Sequence, residues 1–259
     1  MVIQGGLAIA PNILILGGTT EATALAQAVA EAGLAGQVSF AGRVDRPKRQ
    51  PLPQRVGGFG GADGLATFLA QQAITHVVDA THPFAARMSR NAVAACKVAG
   101  VPLVALTRPA WTPQVGDAWT RVSTIAEAAA CLSGVGQNVL LAIGRIHIGA
   151  FADQAQHHYV LRLVDPPKER PPFPSHEVIV ARGPFTMESD LAMMQARGIE
   201  VVVSKNSGGK GAYAKIAAAR EMGIPVIMID RPHIPQRTEV GRIADVLRWI
   251  DHSETDRGV

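Results

Sequence analysis

An internal repeat constrains the fold of this chain more than any other feature of its sequence. Shifted by 123 positions, residues 75–111 fall without a gap on residues 198–234. The matched pairs include Val78 with Val201, Thr81 with Ser204, His82 with Lys205 and Arg108 with Arg231. Both copies read as an apolar strand, a polar loop, an alanine-rich helix, a Gly-x-Pro turn and a second apolar strand. The repeat predicts two similar α/β halves, each with a polar loop where a strand ends, which is where open α/β sheets hold ligands.

Strands and helices alternate along both halves. Apolar runs and helical spacing in the first half predict strands at 12–16, 38–41, 75–80 and 103–106, and helices after Gly18 and at 65–73 and 84–99. The second half carries predicted strands at 139–143, 159–164, 177–181, 200–203 and 226–229, and helices at 125–132, 186–196, 211–222 and 239–252. This alternation is typical of parallel sheets with helices on both faces.

We therefore expect an α/β protein of two Rossmann-like domains with a cleft between them. Residues 1–110 form the predicted N-terminal domain and residues 111–259 the predicted C-terminal domain, with a Pro-rich crossing at 108–117. Residues 43–61, rich in Pro, Arg and Gly, are expected to form a long loop. The sequence leaves open which domain the two ends of the second half pack against.

Composition gives no sign of a membrane protein and narrows the class of ligand. The chain has no run of about 18 apolar residues, so we expect no membrane span, and the N-terminus lacks the basic and apolar regions of a signal peptide. The two cysteines form no CxxC pair, so we expect buried, reduced thiols in a cytoplasmic protein. The chain has 19 Arg, 6 Lys and few aromatic residues, which favours an anionic small molecule over nucleic acid. A merely solvated basic surface is the alternative.

The turn after the first predicted strand is suited to a phosphate group. Gly17 and Gly18 let the backbone approach a ligand, and Thr19, Thr20 and Glu21 open a helix whose N-terminus attracts anions. The full dinucleotide fingerprint has a third glycine, which this turn lacks. A tight turn without a ligand is the alternative interpretation.

The end of the second predicted strand favours NADP over NAD. An NAD-specific fold usually places Asp or Glu there, whereas this chain has Arg43, a cation suited to a 2′-phosphate. Asp45 lies close by in the sequence, and an exposed basic loop is the alternative interpretation.

The two loops of the repeat supply the remaining candidates. Thr81 and His82 follow the third predicted strand, and His82 has the chemistry to donate a proton or to orient a carboxylate. The matching loop, SKNSGGKG, predicts a flexible, donor-rich cradle for anions that includes Lys205 and Lys210. Helix capping by Thr81 and a mobile loop with solvated lysines are the alternatives. The chain has no HExxH, GxSxG or CxxC motif, so neither a metal nor a covalent nucleophile is expected.

Five stretches together resemble the precorrin-6A reductase family of cobalamin biosynthesis. They are GGTTEATALA, RVGGFGGADGL, VVDATHPFAARMSRNAVAAC, LTRPAW and SKNSGG, and the resemblance covers essentially the chain after residue 11. It implies a two-domain reductase in which NADPH reduces a macrocycle double bond of precorrin-6A to give precorrin-6B. The positions that it implies for binding cofactor or substrate are Gly17, Gly18, Thr19, Thr20, Glu21, Arg43, Gly58, Thr81, His82, Lys205, Asn206, Ser207, Lys210 and Gly211.

The residues themselves agree with a carboxylate-rich tetrapyrrole as the partner, because arginine side chains pair well with carboxylates. Hydride transfer is mostly a matter of positioning, and a proton must also reach the neighbouring carbon. His82 and Lys205 are the candidates for proton delivery or substrate orientation, with water and the macrocycle as alternatives. Transfer of the product to a neighbouring pathway enzyme is a further possibility.

Three other functions stay open from the sequence. A cobalt-precorrin-6A reductase, using NADH or NADPH, differs only in its substrate's metal. A nucleotide-sugar transferase with two Rossmann domains disagrees with the DATHPFA motif. A non-catalytic NADP-binding regulatory protein would bind the cofactor without turnover.

Overall fold

The computed structural model describes residues 10–42, 49–134 and 136–255 of the chain. The strands are β1 (Asn12–Leu16), β2 (Ala35–Phe40), β3 (Gln54–Val56), β4 (His76–Asp79), β5 (Leu103–Leu106), β6 (Trp119–Val122), β7 (Asn138–Ala142), β8 (His158–Leu163), β9 (His176–Val180), β10 (Val201–Lys205), β11 (Val226–Ile229) and β12 (Thr238–Val240). The helices are α1 (Thr20–Glu31), α2 (Gly61–Gln71), α3 (Ala86–Ala99), α4 (Ile125–Ala130), α5 (Met187–Ala196), α6 (Ala214–Met222) and α7 (Ile243–Thr255), with a 3₁₀ helix at Arg145–Phe151.

The first compact unit comprises the described parts of Met1–Arg108 and His233–Val259. Its sheet has six parallel strands in the order β12-β5-β4-β1-β2-β3. The central strands are buried apolar runs, as expected for a parallel sheet covered on both faces. One core cluster packs Ile13 and Ile15 against Leu25, and a second packs Leu14 against Leu65.

The second unit, Pro109–Pro232, contains another sheet of six parallel strands, in the order β6-β11-β10-β7-β8-β9. The described residues thus form two Rossmann-like sheets, which confirms the predicted α/β class. β4-α3-β5 and β10-α6-β11 occupy equivalent places in the two sheets. The sequence repeat therefore corresponds to a repeat in topology.

The C-terminal segment differs from the predicted division into residues 1–110 and 111–259, because His233–Val259 belongs to the first unit. β12 adds to the edge of the first sheet, with Thr238 opposite Val104. Val246 and Ile250 of α7 are fully buried in the core cluster that also contains Leu25 of α1. An open edge of β5 and an apolar face of α7 explain why the chain returns to this unit.

Short elements account for most of the remaining differences from the predicted elements. β3 lies within the predicted loop at 43–61, and neither β6 nor β12 was expected. β3 reads QRV and β12 reads TEV, so neither has the apolar run by which buried strands are predicted. The predicted helix at 211–222 begins only at Ala214.

The two cysteines lie in different surroundings. Cys96 is buried on α3, and its burial raises the pKa of the thiol to about 12, with the Asp79 carboxylate adding to the effect. Cys131 is exposed, so the prediction of two buried thiols was wrong for this residue. It follows the short helix α4, beyond its buried residues Ala128 and Ala129.

Among the described residues, none of the helices combines the length and the apolar character that crossing a bilayer requires.

We expect Val246→Ala to lower the free energy of unfolding by about 2 kcal/mol, since it removes two buried methyl groups and leaves a cavity. Val98→Ala is the matched control, because the Val98 side chain on α3 is 79 % exposed. It should change the free energy of unfolding by less than about 0.5 kcal/mol. Urea titration followed by circular dichroism measures both. Equal losses in the two variants would contradict the assignment of α7 to the core.

Candidate functional site

The predicted site residues that the structure describes lie near the carboxyl ends of strands in the two sheets. In the first sheet the chain runs from β1 outward to β2 and β3, then returns to β4 on the other side of β1. This reversal leaves a crevice outside the carboxyl ends of β1 and β4, the usual place for ligands in open α/β sheets. Gly17 and Ala80 directly follow those two strands.

Thr19 holds the turn after β1 in place. It is the N-cap of α1, and its Oγ1 accepts a hydrogen bond from the Ala22 N–H at 3.1 Å. The same hydroxyl donates to the Ala80 carbonyl at 2.8 Å, which ties the turn to the end of β4. One side chain therefore sets the position of the helix N-terminus relative to the crevice.

The two glycines of this turn serve different purposes. A Cβ on Gly17 would lie 3.0 Å from Cγ1 of Val38, so this glycine allows the turn to pack against β2. Gly18 has φ of +118°, and a Cβ placed there would meet nothing within 4 Å. The backbone at Gly18 thus borders open space, as expected where a phosphate group approaches a helix N-terminus.

Glu21 is neutralised by an ion pair. Its Oε1 lies 2.8 Å from Nη1 of Arg108. Burial acts to raise the pKa of the Glu21 carboxyl, but a backbone hydrogen bond and the Arg108 guanidinium outweigh it and lower the pKa overall. The Thr20 hydroxyl also donates to this carboxylate, at 3.1 Å. The pairing reduces the repulsion that an acidic side chain in the first turn would exert on an anion.

Arg43, the residue predicted to distinguish NADP from NAD, lies outside the described residues. Arg55 of β3, which lies opposite Ser39 of β2, was not predicted. Its guanidinium donates to Ser39 Oγ at 2.8 Å and to the carbonyls of Gly57 at 3.2 Å and Gly58 at 3.1 Å. It also lies 4.0 Å from the ring centroid of Phe59. Arg55 therefore positions the loop that carries Gly58.

Asp79 organises the loop after β4. The carboxylate is buried, and its Oδ1 accepts from the Thr81 N–H at 3.1 Å and from the Thr81 hydroxyl at 2.7 Å. Its Oδ2 pairs with Arg237, which comes from the returning C-terminal segment. His82 Nδ1 accepts from the Phe84 N–H at 3.2 Å, which favours a neutral ring with its proton on Nε2. At the mouth of the crevice, Thr81 is thus held by the Asp79 carboxylate and His82 by the Phe84 backbone.

Residues 206–208 of the matching loop in the second unit are held by several contacts, and the flexibility predicted for the whole loop stays a prediction. Asn206 is buried, and its side-chain amide makes two hydrogen bonds to the Trp111 backbone, at 2.8 Å and 2.9 Å. Arg231 donates to the carbonyls of Asn206 at 3.1 Å and Ser207 at 3.2 Å. A Cβ on Gly208 would lie 2.2 Å from the Pro109 carbonyl oxygen, so this glycine permits close packing.

The loop nevertheless presents cationic groups. Lys205 ends β10 and is half-buried, while Lys210 is exposed and Gly211 borders open space. The Asn206 side chain is engaged by Trp111, so its predicted role in binding a cofactor competes with a structural one. That the loops of the two units serve one ligand remains a prediction.

Sequence reasoning also missed Arg145 at the same edge of the second sheet. It follows Gly144, whose φ is +83°, just after β7. Within the described part of the chain, its Nη1 is buried and makes no hydrogen bond. A buried guanidinium nitrogen without a partner is costly, so Arg145 is a candidate contact for an anionic group.

No group of three or more His, Cys, Asp or Glu side chains among residues 10–42, 49–134 and 136–255 is placed to hold a metal ion.

Comparison with known proteins shows extensive similarity. A family model described as precorrin-6x reductase CbiJ/CobK matches residues 12–251. Precorrin-6A reductase of Rhodobacter capsulatus is 50% identical over 249 residues, which cover 96% of this chain and 99% of that protein. Cobalt-precorrin-6A reductase of Priestia megaterium is 30% identical over 250 residues, covering 92% and 97%. A solved structure of CobK precorrin-6A reductase superposes with a TM-score of 0.89 at 48% identity, covering 93% of this chain and 97% of that one.

Thr19→Val should lower the free energy of unfolding by about 1–2 kcal/mol, because it removes the helix cap and leaves the Ala80 carbonyl without this donor. Thr20→Val is the matched control, since Thr20 is exposed and its hydroxyl bonds to the neighbouring Glu21 side chain rather than across to β4. That variant should change stability by less than about 0.5 kcal/mol. Chemical denaturation compares the two, and a loss in Thr20→Val as large as in Thr19→Val would contradict the bridging role.

Proposed function

The chain belongs to the precorrin-6x reductase family, and from this premise we propose that it reduces one double bond of precorrin-6A with NADPH, giving precorrin-6B. Membership makes it an oxidoreductase of cobalamin biosynthesis. The observation that carries the proposal is the match to precorrin-6A reductases over nearly the whole chain, at 50% identity for the Rhodobacter capsulatus protein. The lower identity of 30% to the Priestia megaterium protein favours the metal-free substrate over its cobalt-containing counterpart.

The geometry of the first unit supports the binding of a dinucleotide. Gly17, Gly18 and Thr19 would hold the pyrophosphate at the N-terminus of α1, where open space borders Gly18. Thr20 lies in the first turn of the same helix, and Glu21 is paired with Arg108. The bound cofactor would supply the hydride for the reduction.

The chain's own residues would then act mainly by positioning. The Thr19 hydroxyl fixes the turn against the end of β4, and Asp79 fixes Thr81 through two hydrogen bonds. Held in this way, Thr81 and His82 border the crevice in which the reacting part of the cofactor would lie. A preorganised site of this kind lowers the entropic cost of bringing two reactants together in the correct orientation.

Proton delivery is assigned to His82 or Lys205. The hydrogen bond that His82 Nδ1 accepts from the Phe84 N–H fixes the ring, whose Nε2–H is suited to hydrogen-bond a substrate carboxylate. To deliver a proton, the ring would first take one up at Nδ1 and give up this bond. Lys205 ends β10 in the second unit and is the alternative donor, or an anchor for a substrate carboxylate. Asn206, Ser207, Lys210 and Gly211 continue that loop.

The preference for NADPH over NADH rests on Arg43. A guanidinium at the end of β2 recognises a 2′-phosphate, whereas an acidic residue there would recognise the free ribose hydroxyl. Arg55 supports this proposal indirectly, because it holds the neighbouring Gly57–Gly58 backbone beside Ser39 of β2. A cytoplasmic location and transfer of the product to the next pathway enzyme are further parts of the proposal.

We expect the purified protein to oxidise NADPH when enzymatically prepared precorrin-6A is added under anaerobic conditions. Absorbance at 340 nm in a stopped-flow instrument measures the reaction, and mass spectrometry should show a product two mass units heavier. Arg43→Ala should raise the KM for NADPH about tenfold or more and leave the KM for NADH nearly unchanged, because a charged hydrogen bond to the 2′-phosphate is lost.

Arg49→Ala provides a control for that variant, because Arg49 is an exposed arginine of the same basic segment. Its KM values should stay close to those of the parent. NADPH that persists in the presence of precorrin-6A would refute the reductase proposal. Equal weakening of NADPH and NADH by Arg43→Ala would show that Arg43 does not recognise the 2′-phosphate.

A further inference from the structure

The returning C-terminal segment brings a buried cation into the first unit. Arg237 lies just before β12, and its side chain is only 8 % exposed. Its Nη1 donates to Oδ2 of Asp79, whose side chain is 1 % exposed and which lies 158 positions earlier in the chain. Among residues 10–42, 49–134 and 136–255, Arg237 is the one cation paired with the Asp79 carboxylate.

The register of the first sheet explains how Arg237 reaches Asp79. Asp79 of β4 lies opposite Ala105 of β5, which in turn lies opposite Glu239 of β12. Arg237 precedes Glu239 by two residues and donates to its carboxylate at 3.1 Å, so both side chains lie on one face of the sheet. Strands β12 and β4 are roughly 10 Å apart, because each neighbouring pair is separated by about 4.8 Å. The small, fully buried Ala105 leaves room for an arginine to extend across β5.

The ion pair completes a set of contacts that fixes both oxygens of the Asp79 carboxylate. Arg237 holds Oδ2, while Oδ1 accepts from the Thr81 N–H at 3.1 Å and from the Thr81 hydroxyl at 2.7 Å. Without the cation, a buried carboxylate would lack its counter-charge, which is strongly unfavourable. Asp79 would then turn toward water and weaken its two bonds to Thr81. Arg237 thus stabilises the carboxylate orientation that holds Thr81.

Arg237 approaches Asp79 from the side of the sheet's amino ends. It lines an open groove of about 630 Å³ together with Lys97 of α3 and Pro102, which precedes β5. Thr81, in contrast, follows the carboxyl end of β4, where the crevice lies. The guanidinium therefore meets the crevice only through the Asp79 carboxylate.

Resting on the proposed function, we propose that Arg237 is a positioning residue for hydride transfer. Through Asp79 it holds Thr81 at the mouth of the crevice, beside the reacting part of the cofactor. The C-terminal segment thereby contributes to the reaction, although its arginine contacts neither reactant. Because a small misplacement of the reactants slows transfer more than it weakens binding, the loss of Arg237 should lower kcat rather than the affinity for NADPH.

The first measurement is hydrogen exchange at the Thr81 amide of the full-length protein without substrate, followed by mass spectrometry of peptides that contain it. Arg237→Gln should speed this exchange about tenfold, because the amide loses a fixed, charged acceptor. Arg237→Lys keeps the charge and should stay within about threefold of the parent. Glu239→Gln is the matched control, since it removes the other ion pair of Arg237 and leaves the link to Thr81 intact. Its exchange should match the parent's.

The second measurement is turnover of precorrin-6A. Arg237→Ala should lower kcat about tenfold and leave the Kd for NADPH within about threefold of the parent. Added guanidinium, far below the concentrations that unfold proteins, should raise the kcat of this variant about threefold, because the open groove gives it access to Asp79. Arg242→Ala is the control for this rescue, since Arg242 is exposed and pairs with Asp245. Guanidinium should leave its kcat unchanged.

A variant at the other end of the link keeps the test decisive if the Arg237 variants are unstable. Asp79→Asn leaves Arg237 paired with Glu239 and should reproduce both the faster exchange and the lower kcat. The double variant Asp79→Asn with Arg237→Gln should be no slower than the slower single variant, because both changes break the same link.

The outcomes separate this inference from the proposed function. Unchanged exchange at Thr81 in Arg237→Gln and Asp79→Asn would overturn the positioning role, even if the parent reduces precorrin-6A. Exchange that rises equally in β5, β12 and α7 would overturn it in favour of a purely structural role. If Thr81 exchanges faster as expected but the parent leaves NADPH unoxidised with precorrin-6A, the link to Thr81 stands, while the reductase proposal and the role in hydride transfer fail.

Discussion

The Thr19 hydroxyl makes the contact on which the first site depends. It accepts from the first turn of α1 and donates to the carbonyl that follows β4, at 3.1 Å and 2.8 Å. Without this hydroxyl, the hydrogen-bonded link between the N-terminus of α1 and the end of β4 would be lost. Because Gly18 leaves the adjacent space open, this link sets the position of the helix N-terminus beside that space.

The two copies of the repeated unit share a topology but differ in the side-chain contacts made by the loops after β4 and β10. After β4, the buried carboxylate of Asp79 holds Thr81 and pairs with Arg237 from the returning C-terminal segment. After β10, at the equivalent place in the second sheet, the Asn206 amide holds the backbone of Trp111. The first arrangement orients polar groups beside the turn after β1, and the second fixes an aromatic side chain. Similar halves thus acquire different chemistry from a few side chains at the carboxyl ends of their strands.

Most of the fold was predictable from long apolar runs. The short edge strands and the contacts between residues distant in sequence were not predictable. β1 has four consecutive buried residues, so its sequence alone indicates a central strand. β12 has three residues, with Glu239 at its centre, and is stabilised by pairing with β5, which local sequence cannot reveal. Likewise, the motif around Gly17 predicted a phosphate site, but no local signal joins Asn206 to Trp111 or Asp79 to Arg237. Those contacts depend on tertiary structure, and so the roles of Trp111 and Arg55 emerged only from it.

The central claim is that cofactor and macrocycle exchange a hydride directly within a site that the chain preorganises. The most direct measurement uses NADPH carrying deuterium at C4 of the nicotinamide, on each face in turn, with precorrin-6A as the acceptor. Mass spectrometry of the isolated product should show one deuterium from one of the two labelled cofactors and none from the other. A reduced product without deuterium from either cofactor would contradict direct transfer and the account built on it.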